Sequence, residues 1–232
     1  MNVAIIPARG NSKSVARKNL RPLAGKPLLQ WTIDAAKEAN VFDHIVLTSE
    51  DDEILKLGLR NNIMTLVRQP WLSQDFVQSS EVALDALRQL QLANIYPDIV
   101  TILQPTSPFR TAEDIGGAVD LFNNWDLPIE KRGTIISAYK SAKYHWHDEG
   151  WNDKPLYHNP EKRLGRQWES DMGVFVEQGA VYIVSANRFG REGQYRLPPY
   201  QIFEMSESHS IDLDSPEEFE QAEHMLERGL VK

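Results

Sequence analysis

Val3-Ala4-Ile5-Ile6 runs directly into Pro7-Ala8-Arg9-Gly10-Asn11-Ser12-Lys13-Ser14-Val15-Ala16-Arg17-Lys18-Asn19-Leu20-Arg21. The apolar run is short and partly β-branched, as a buried strand should be. Pro7 and Gly10 then stop regular structure and open a loop. From Arg9 to Arg21 that loop carries Arg9, Lys13, Arg17, Lys18 and Arg21 and no acid, against a formal charge of −8 for the whole chain. Gly10, Asn11, Ser12 and Ser14 stand between the cations, so backbone N–H groups can approach a ligand closely. Two readings fit the stretch: a cradle for a polyphosphate just after a first strand, or a solvated basic loop.

Outward from this loop the chain alternates. Gly25-Lys26-Pro27 introduces a helical pattern (Leu28, Leu29, Trp31, Ile33, Ala36), with Pro27 suited to its first turn. His44–Ser49 reads as a second strand, and Glu50-Asp51-Asp52-Glu53 opens a helix with acids at its positive end. Ile63–Val67 is a third strand, Glu81–Ala93 a helix, and Asp98–Leu103 a fourth strand. That strand runs into Gln104-Pro105-Thr106-Ser107-Pro108-Phe109-Arg110, where two prolines forbid regular structure. Thr111-Ala112-Glu113-Asp114 offers a capping box for the next helix. Thr134–Tyr139 and Gly179–Val184 are the fifth and sixth strands. The alternation predicts an α/β fold: a mainly parallel twisted sheet with helices on both faces, in one domain over residues 1–232. Ligands bind at the carboxyl ends of strands in such sheets, which places the basic loop, Ser49, Arg68 and the Gln104 loop on one edge.

Residues 140–177 break the alternation. Tyr144, Trp146, Trp151, Tyr157 and Trp168 lie there among charges without a clean period, which predicts an interface surface and a small dimerisation arm, or a long loop folding back on the core.

Composition narrows the function. With 232 residues the chain can bury a sizeable core, and its acidic balance argues against nucleic acid. The absence of cysteine excludes disulfides, thiolate catalysis and cysteine-bound zinc. Without a long apolar run or a leader pattern, the expectation is a cytoplasmic protein with no membrane partner. Neither a G-x-x-x-x-G-K-[ST] loop nor a G-x-G-x-x-G turn is present, and no Ser/His/Asp arrangement stands out. His145-Trp146-His147 has no third metal ligand at a suggestive spacing.

The strongest carboxylate signal is Ser210-Ile211-Asp212-Leu213-Asp214-Ser215-Pro216-Glu217-Glu218. On an extended segment Asp212 and Asp214 point to one side, while Ile211 and Leu213 face the core. Two hard carboxylates side by side suit Mg²⁺, with water and phosphate completing its shell. Helix capping by Ser215, Pro216 and Glu218 explains much of the same region but not Asp212.

Taken together, Ile5–Lys13, Arg17-Lys18-Asn19-Leu20, Leu23–Leu28, Leu103–Arg110, Gly179-Ala180-Val181-Tyr182-Ile183 and Ser210–Asp214 resemble the acylneuraminate cytidylyltransferases, in the family's order over nearly the whole chain. The resemblance implies a Rossmann-like nucleotidyltransferase that activates a nine-carbon α-keto sugar acid with CTP, as a homodimer. It implies that Arg9, Ser12, Lys13, Lys18 and Asn19 hold the CTP phosphates and ribose, and that Arg68 and Ser79 lie on the cytidine side. It likewise assigns Gln104 to the sugar acid, Asp212 and Asp214 to magnesium, and Arg166 (with Gln167) to an arm that reaches the sugar. Arg9, Lys18 and Asp212 would then carry catalysis. The chain departs from the family pattern at Ser14, Ala16 and Gln178, which stand where Gly, Pro and Asn are usual. Gln178 falls on the sugar side. The intact Gln104–Pro108 block resembles the sialic and legionaminic branches more than the pseudaminic one. A non-catalytic nucleotide-binding regulator, and a nucleotidyltransferase acting on a neutral sugar phosphate, are the alternatives.

Overall fold

The computed structural model describes residues 1–141, 145–147, 154–156 and 174–231. Its elements run β1 (Asn2–Pro7), β2 (Pro22–Leu23), β3 (Lys26–Pro27), α1 (Leu28–Glu38), β4 (His44–Ser49), α2 (Asp52–Arg60), β5 (Met64–Val67), α3 (Ser79–Leu92), β6 (Ile99–Ile102) and α4 (Ala112–Asn123). There follow β7 (Thr134–Ser141), β8 (His145–His147), β9 (Lys154–Leu156), β10 (Val174–Ser185), α5 (Ala186–Glu192), β11 (Tyr200–Glu204) and α6 (Pro216–Glu227).

Seven strands form one sheet in the order β11-β7-β10-β6-β1-β4-β5. β6, β1, β4 and β5 are parallel, with Ile5 in register with both Val46 and Ile102. β10 runs antiparallel between β6 and β7, and β11 adds parallel to β7. The alternation of β1 explains the layering. Ala4 and Ile6 pack on one face with Leu29 and Ile33 of α1 and Ile115 and Phe122 of α4. Val3 and Ile5 pack on the other with Ala83, Leu87 and Leu90 of α3 and Phe189 of α5. All four β1 residues are fully buried, and each large one contributes about 1.5–3 kcal/mol.

A third cluster matters more for the site. Val15 of the basic loop, Leu23, Leu28 and Phe109 pack with Leu213 and with Phe219 and Ala222 of α6. It fixes the basic loop against the chain's last helix. The caps expected at Thr111 and Ser215 are both formed: each side chain accepts from the backbone three residues on, and Asp114 and Glu218 bond back.

One local expectation is corrected. Pro27 ends the short strand β3 and caps α1, which begins only at Leu28. The 210–214 segment pairs with no strand, and its two apolar residues face the core as expected, Leu213 fully buried and Ile211 partly buried against the same cluster. β11 and α5 went unread in the sequence; β11 is a five-residue edge strand that alternates exposed and half-buried residues, with Tyr200 and Ile202 on its exposed side. The dimer arm expected at 140–177 lies largely outside the described residues, apart from its flanking strand ends and the β8–β9 pair.

Arg110 ties the layers together. Its guanidinium, fully buried, donates to the Gln104 carbonyl (3.1 Å), the Ala180 carbonyl (2.7 Å) and Thr32 Oγ1 (2.7 Å). Burial pushes its pKa down to about 9, so it stays charged at neutral pH. Arg110→Met leaves two carbonyls without their donor, and we expect a loss of about 3 kcal/mol in urea unfolding. A loss well below about 1 kcal/mol would show that the Gln104 loop is held by other contacts.

Candidate active site

The loops after β1, β5 and β6 converge at the carboxyl ends of their strands, where the strand order reverses around β1. They enclose an open cavity of about 290 Å³ lined by Arg9, Ser12, Lys18, Asn19, Arg68, Ser79 and Gln104, among others. Residues far apart in sequence and singled out separately therefore meet in one place.

Glu50 organises the wall. Its carboxylate accepts from the Gly10 amide (2.8 Å), from Arg68 Nε and Nη2 (3.0 and 2.9 Å) and from Ser73 Oγ (2.5 Å). Burial works against its charge, but Ser73, Gly10 and Arg68 together hold its pKa below the ordinary value. The Gly10 amide is thus taken by Glu50, contrary to the expectation that it would face a ligand. Gly10 also lies so close to Asp51 that a Cβ there would sit 2.6 Å from Asp51 Oδ2.

The cations divide into two sets. Arg17 bonds Asp51 (2.8 Å) and Glu53 (2.7 Å), and Arg21 stacks over the Phe219 ring, so neither lines the cavity. Arg68 is 3% exposed and paired to Glu50. Lys18, buried, reaches Asp214 at 2.6 Å. Arg9 and Lys13 meet only Asp75 among the described residues, at 2.7 and 3.0 Å. Lys13 is the one predicted nucleotide residue outside the cavity lining, and its side chain is largely exposed. Asn19 donates to the Arg9 carbonyl at 2.9 Å and so positions Arg9. Ser79, the first residue of α3, bonds the Tyr195 hydroxyl at 2.6 Å.

Next to the Gln104 loop β10 is irregular between Glu177 and Tyr182. There Gly179 has φ +80° and approaches Gln104 so closely that a Cβ would fall 2.6 Å from Gln104 Oε1. Both amide atoms of Gln178 are buried without a partner among the described residues. Gln178, expected on the sugar side, is not among the residues that line the cavity; its neighbour Gly179 is the one that meets Gln104. Arg166 lies outside the described residues.

Asp212 and Asp214 flank the mouth. Leu213 N donates to the Thr106 carbonyl (2.8 Å), which joins this segment to the Gln104 loop. Burial, and the nearby Asp214, push the Asp212 carboxyl up, although its hydrogen bond with the Thr106 side chain works against the rise. Its Oδ1 is buried with no hydrogen-bond partner among the described residues. A buried, unpartnered carboxylate oxygen next to a second carboxylate fits a hard cation. Among the described residues no three His, Asp or Glu side chains converge, so such a cation would need oxygens from water or ligand. No described helix is long and apolar enough to cross a membrane.

The family model described as Cytidylyltransferase matches residues 3–145, more than half of the chain. The chain belongs to the cytidylyltransferase family. N-acylneuraminate cytidylyltransferase A of Danio rerio is 30% identical over 218 residues, covering 91% of this chain and 47% of that protein. Pseudaminic acid cytidylyltransferase of Campylobacter jejuni is 27% identical, covering 94% and 93%. CMP-N,N'-diacetyllegionaminic acid synthase of Legionella pneumophila is 28% identical, covering 97% and 96%. This cytidylyltransferase therefore spans about half the zebrafish protein and nearly all of the two bacterial ones. Its fold is that of a CMP:2-keto-3-deoxy-manno-octonic acid synthetase solved with CTP (TM-score 0.70, 14% identity, 98% of this chain and 99% of that one). It is equally like the 4-diphosphocytidyl-2C-methyl-D-erythritol synthase of Anaerococcus prevotii (TM-score 0.71, 16% identity, covering 98% and 96%).

Sequence reasoning missed Glu50, Asp75 and Arg110 in this cytidylyltransferase. Glu50 was visible as the first acid after a strand end, but its neighbours Asp51 to Glu53 made it look like part of a helix start. The structure gives the cap to Asp51, which accepts from Glu53 N and Ile54 N, and turns Glu50 inward.

Because Glu50 is held below its ordinary pKa, its contribution is present above the usual carboxylate range and is lost as pH falls through its folded value. Glu50→Gln should cost roughly 2 kcal/mol at pH 7 in urea unfolding. The gap from wild type should close in acid, and a gap unchanged by pH would contradict the charged role.

Proposed function

We propose that this cytidylyltransferase transfers CMP from CTP to the anomeric hydroxyl of a nine-carbon α-keto sugar acid of the N-acylneuraminate type. The observation that carries the reading is the single cavity at the strand ends, in which Arg9, Ser12, Lys18, Asn19, Arg68, Ser79 and Gln104 come together. The names of the relatives support the substrate class. Those names cover three different sugar acids at similar identity, so legionaminic acid or another nonulosonic acid is an open alternative within the same reaction.

In this reading the anomeric hydroxyl oxygen attacks the α-phosphorus of CTP. The new P–O bond forms as the bond to the β-phosphate oxygen breaks, pyrophosphate leaves, and the hydroxyl proton passes to solvent. Arg9, Lys13 and Ser12 face the triphosphate, and Arg9 and Lys18 offset charge that develops as pyrophosphate departs. Asn19 fixes the Arg9 backbone, while Arg68 and Ser79 bound the nucleoside end. Gln104 and Gln178 present amides to the sugar, with Arg166 reaching it from the arm. Asp212 and Asp214 would hold a divalent cation, Mg²⁺ in our reading, which when bound neutralises phosphate charge. A cytoplasmic homodimer belongs to the same proposal; the dimer rests on the aromatic stretch 140–177 and on the resemblance of Arg166-Gln167 to the family's dimer arm.

The test is pyrophosphate release with CTP and magnesium across N-acetylneuraminate, legionaminate, pseudaminate and a neutral hexose phosphate. Turnover with one nine-carbon acid is expected. CTP binding with no release from any acid would favour a non-catalytic regulator. Asp212→Ala should lower turnover by about 100-fold or more with the circular dichroism spectrum unchanged. Near-normal turnover in that variant would remove the metal assignment. Gln104→Ala should raise KM for the sugar acid about tenfold and leave KM for CTP in place.

A further inference from the structure

Every cation around the cavity has an acidic or aromatic partner, but the partners differ in kind. Glu50, Asp51 and Asp214 belong to built parts of the scaffold: the β4–α2 junction and the segment leading into α6. Asp75 does not. It sits in the connection between a short 3-10 turn (Pro70–Ser73) and α3, lining the cavity, with its side chain 41% exposed. Trp71 and Phe76 on the same segment point to solvent, 54% and 80% exposed, and Leu72 is its one core residue between 70 and 76. Polar contacts therefore hold the segment in place: Ser73 to Glu50, and Asp75 to Arg9 and Lys13. Both cations, and no others on the loop, converge on this one exposed carboxylate, whose pKa they hold down.

We propose that Asp75 is an internal counter-anion that competes with the phosphates for Arg9 and Lys13, and so sets how tightly the site holds pyrophosphate. This rests on the reading of the cavity as the CTP site. A triphosphate brings several negative charges and two or more bidentate edges, and it displaces a single exposed carboxylate readily. After transfer, Asp75 returns to the same two cations and assists the departure of the pyrophosphate. It makes no bond to the reacting atoms and acts through Arg9 and Lys13.

The experiment is calorimetric titration of CTP, CMP and inorganic pyrophosphate into the wild-type protein and into Asp75→Asn and Asp75→Glu. Asp75→Asn should bind pyrophosphate roughly three- to tenfold tighter, the scale of two exposed ion pairs removed from competition. Pyrophosphate should then inhibit turnover at correspondingly lower concentration, and the gain should shrink as salt is raised. Asp75→Glu, which keeps the charge, should restore wild-type pyrophosphate affinity. Equal or weaker pyrophosphate binding by Asp75→Asn, with CTP still bound by the wild type, would overturn the proposal alone. Failure of the wild type to bind CTP or pyrophosphate would overturn the nucleotide reading beneath it and the proposal together.

Discussion

The carboxylate of Glu50 is the constraint on which the site depends. It joins the backbone just after β1, at Gly10, to the side chain just after β5, at Arg68, and to Ser73 beyond it. Three chain segments that leave a parallel sheet in the same direction would otherwise diverge. A half-buried acid with several donors holds them within a few ångströms, and its charge is balanced by a buried arginine. Gly10 is needed at that point because Asp51, committed to capping α2, leaves no room for a side chain.

The second constraint is at the Gln104 loop. Arg110 donates to the carbonyls of Gln104 and Ala180 at once, which ties the loop after β6 to the irregular part of β10. Gly179 packs closely against Gln104 between them. The basic loop and Arg68 thus meet Gln104 in one cavity. The third apolar cluster, through Val15 and Leu213, brings Asp212 and Asp214 up to its mouth. This is preorganisation: donors and carboxylates are placed before any ligand arrives.

What the sequence showed and what it hid follow from the range of the interactions. The parallel half of the sheet was legible because each strand is a local apolar run. The two capping boxes were legible because both partners lie within three residues. The grouping of Arg9, Lys18, Arg68, Ser79 and Gln104 followed from one topological rule about strand ends, and from a resemblance that carried the individual roles. Glu50 reaches Arg68 over 18 residues, Asp75 reaches Arg9 over 66, and Arg110 reaches Ala180 and Thr32 over 70 and 78. An acid in a polar stretch, such as Asp75, gives no local sign of the cations it will meet. The antiparallel setting of β10 was equally hidden, because strand direction depends on a path that no periodicity records.

In the proposed reaction the anomeric hydroxyl of a sugar acid attacks the α-phosphorus of CTP within this cavity. The most direct measurement is the fate of ¹⁸O placed in that hydroxyl, followed by mass spectrometry through one turnover with CTP and magnesium. The account predicts that the label appears in the bond joining sugar to phosphorus in the CMP-sugar, with none in pyrophosphate. Label in the pyrophosphate, or a CMP-sugar linkage without it, would mean that the reaction runs by a different bond cleavage.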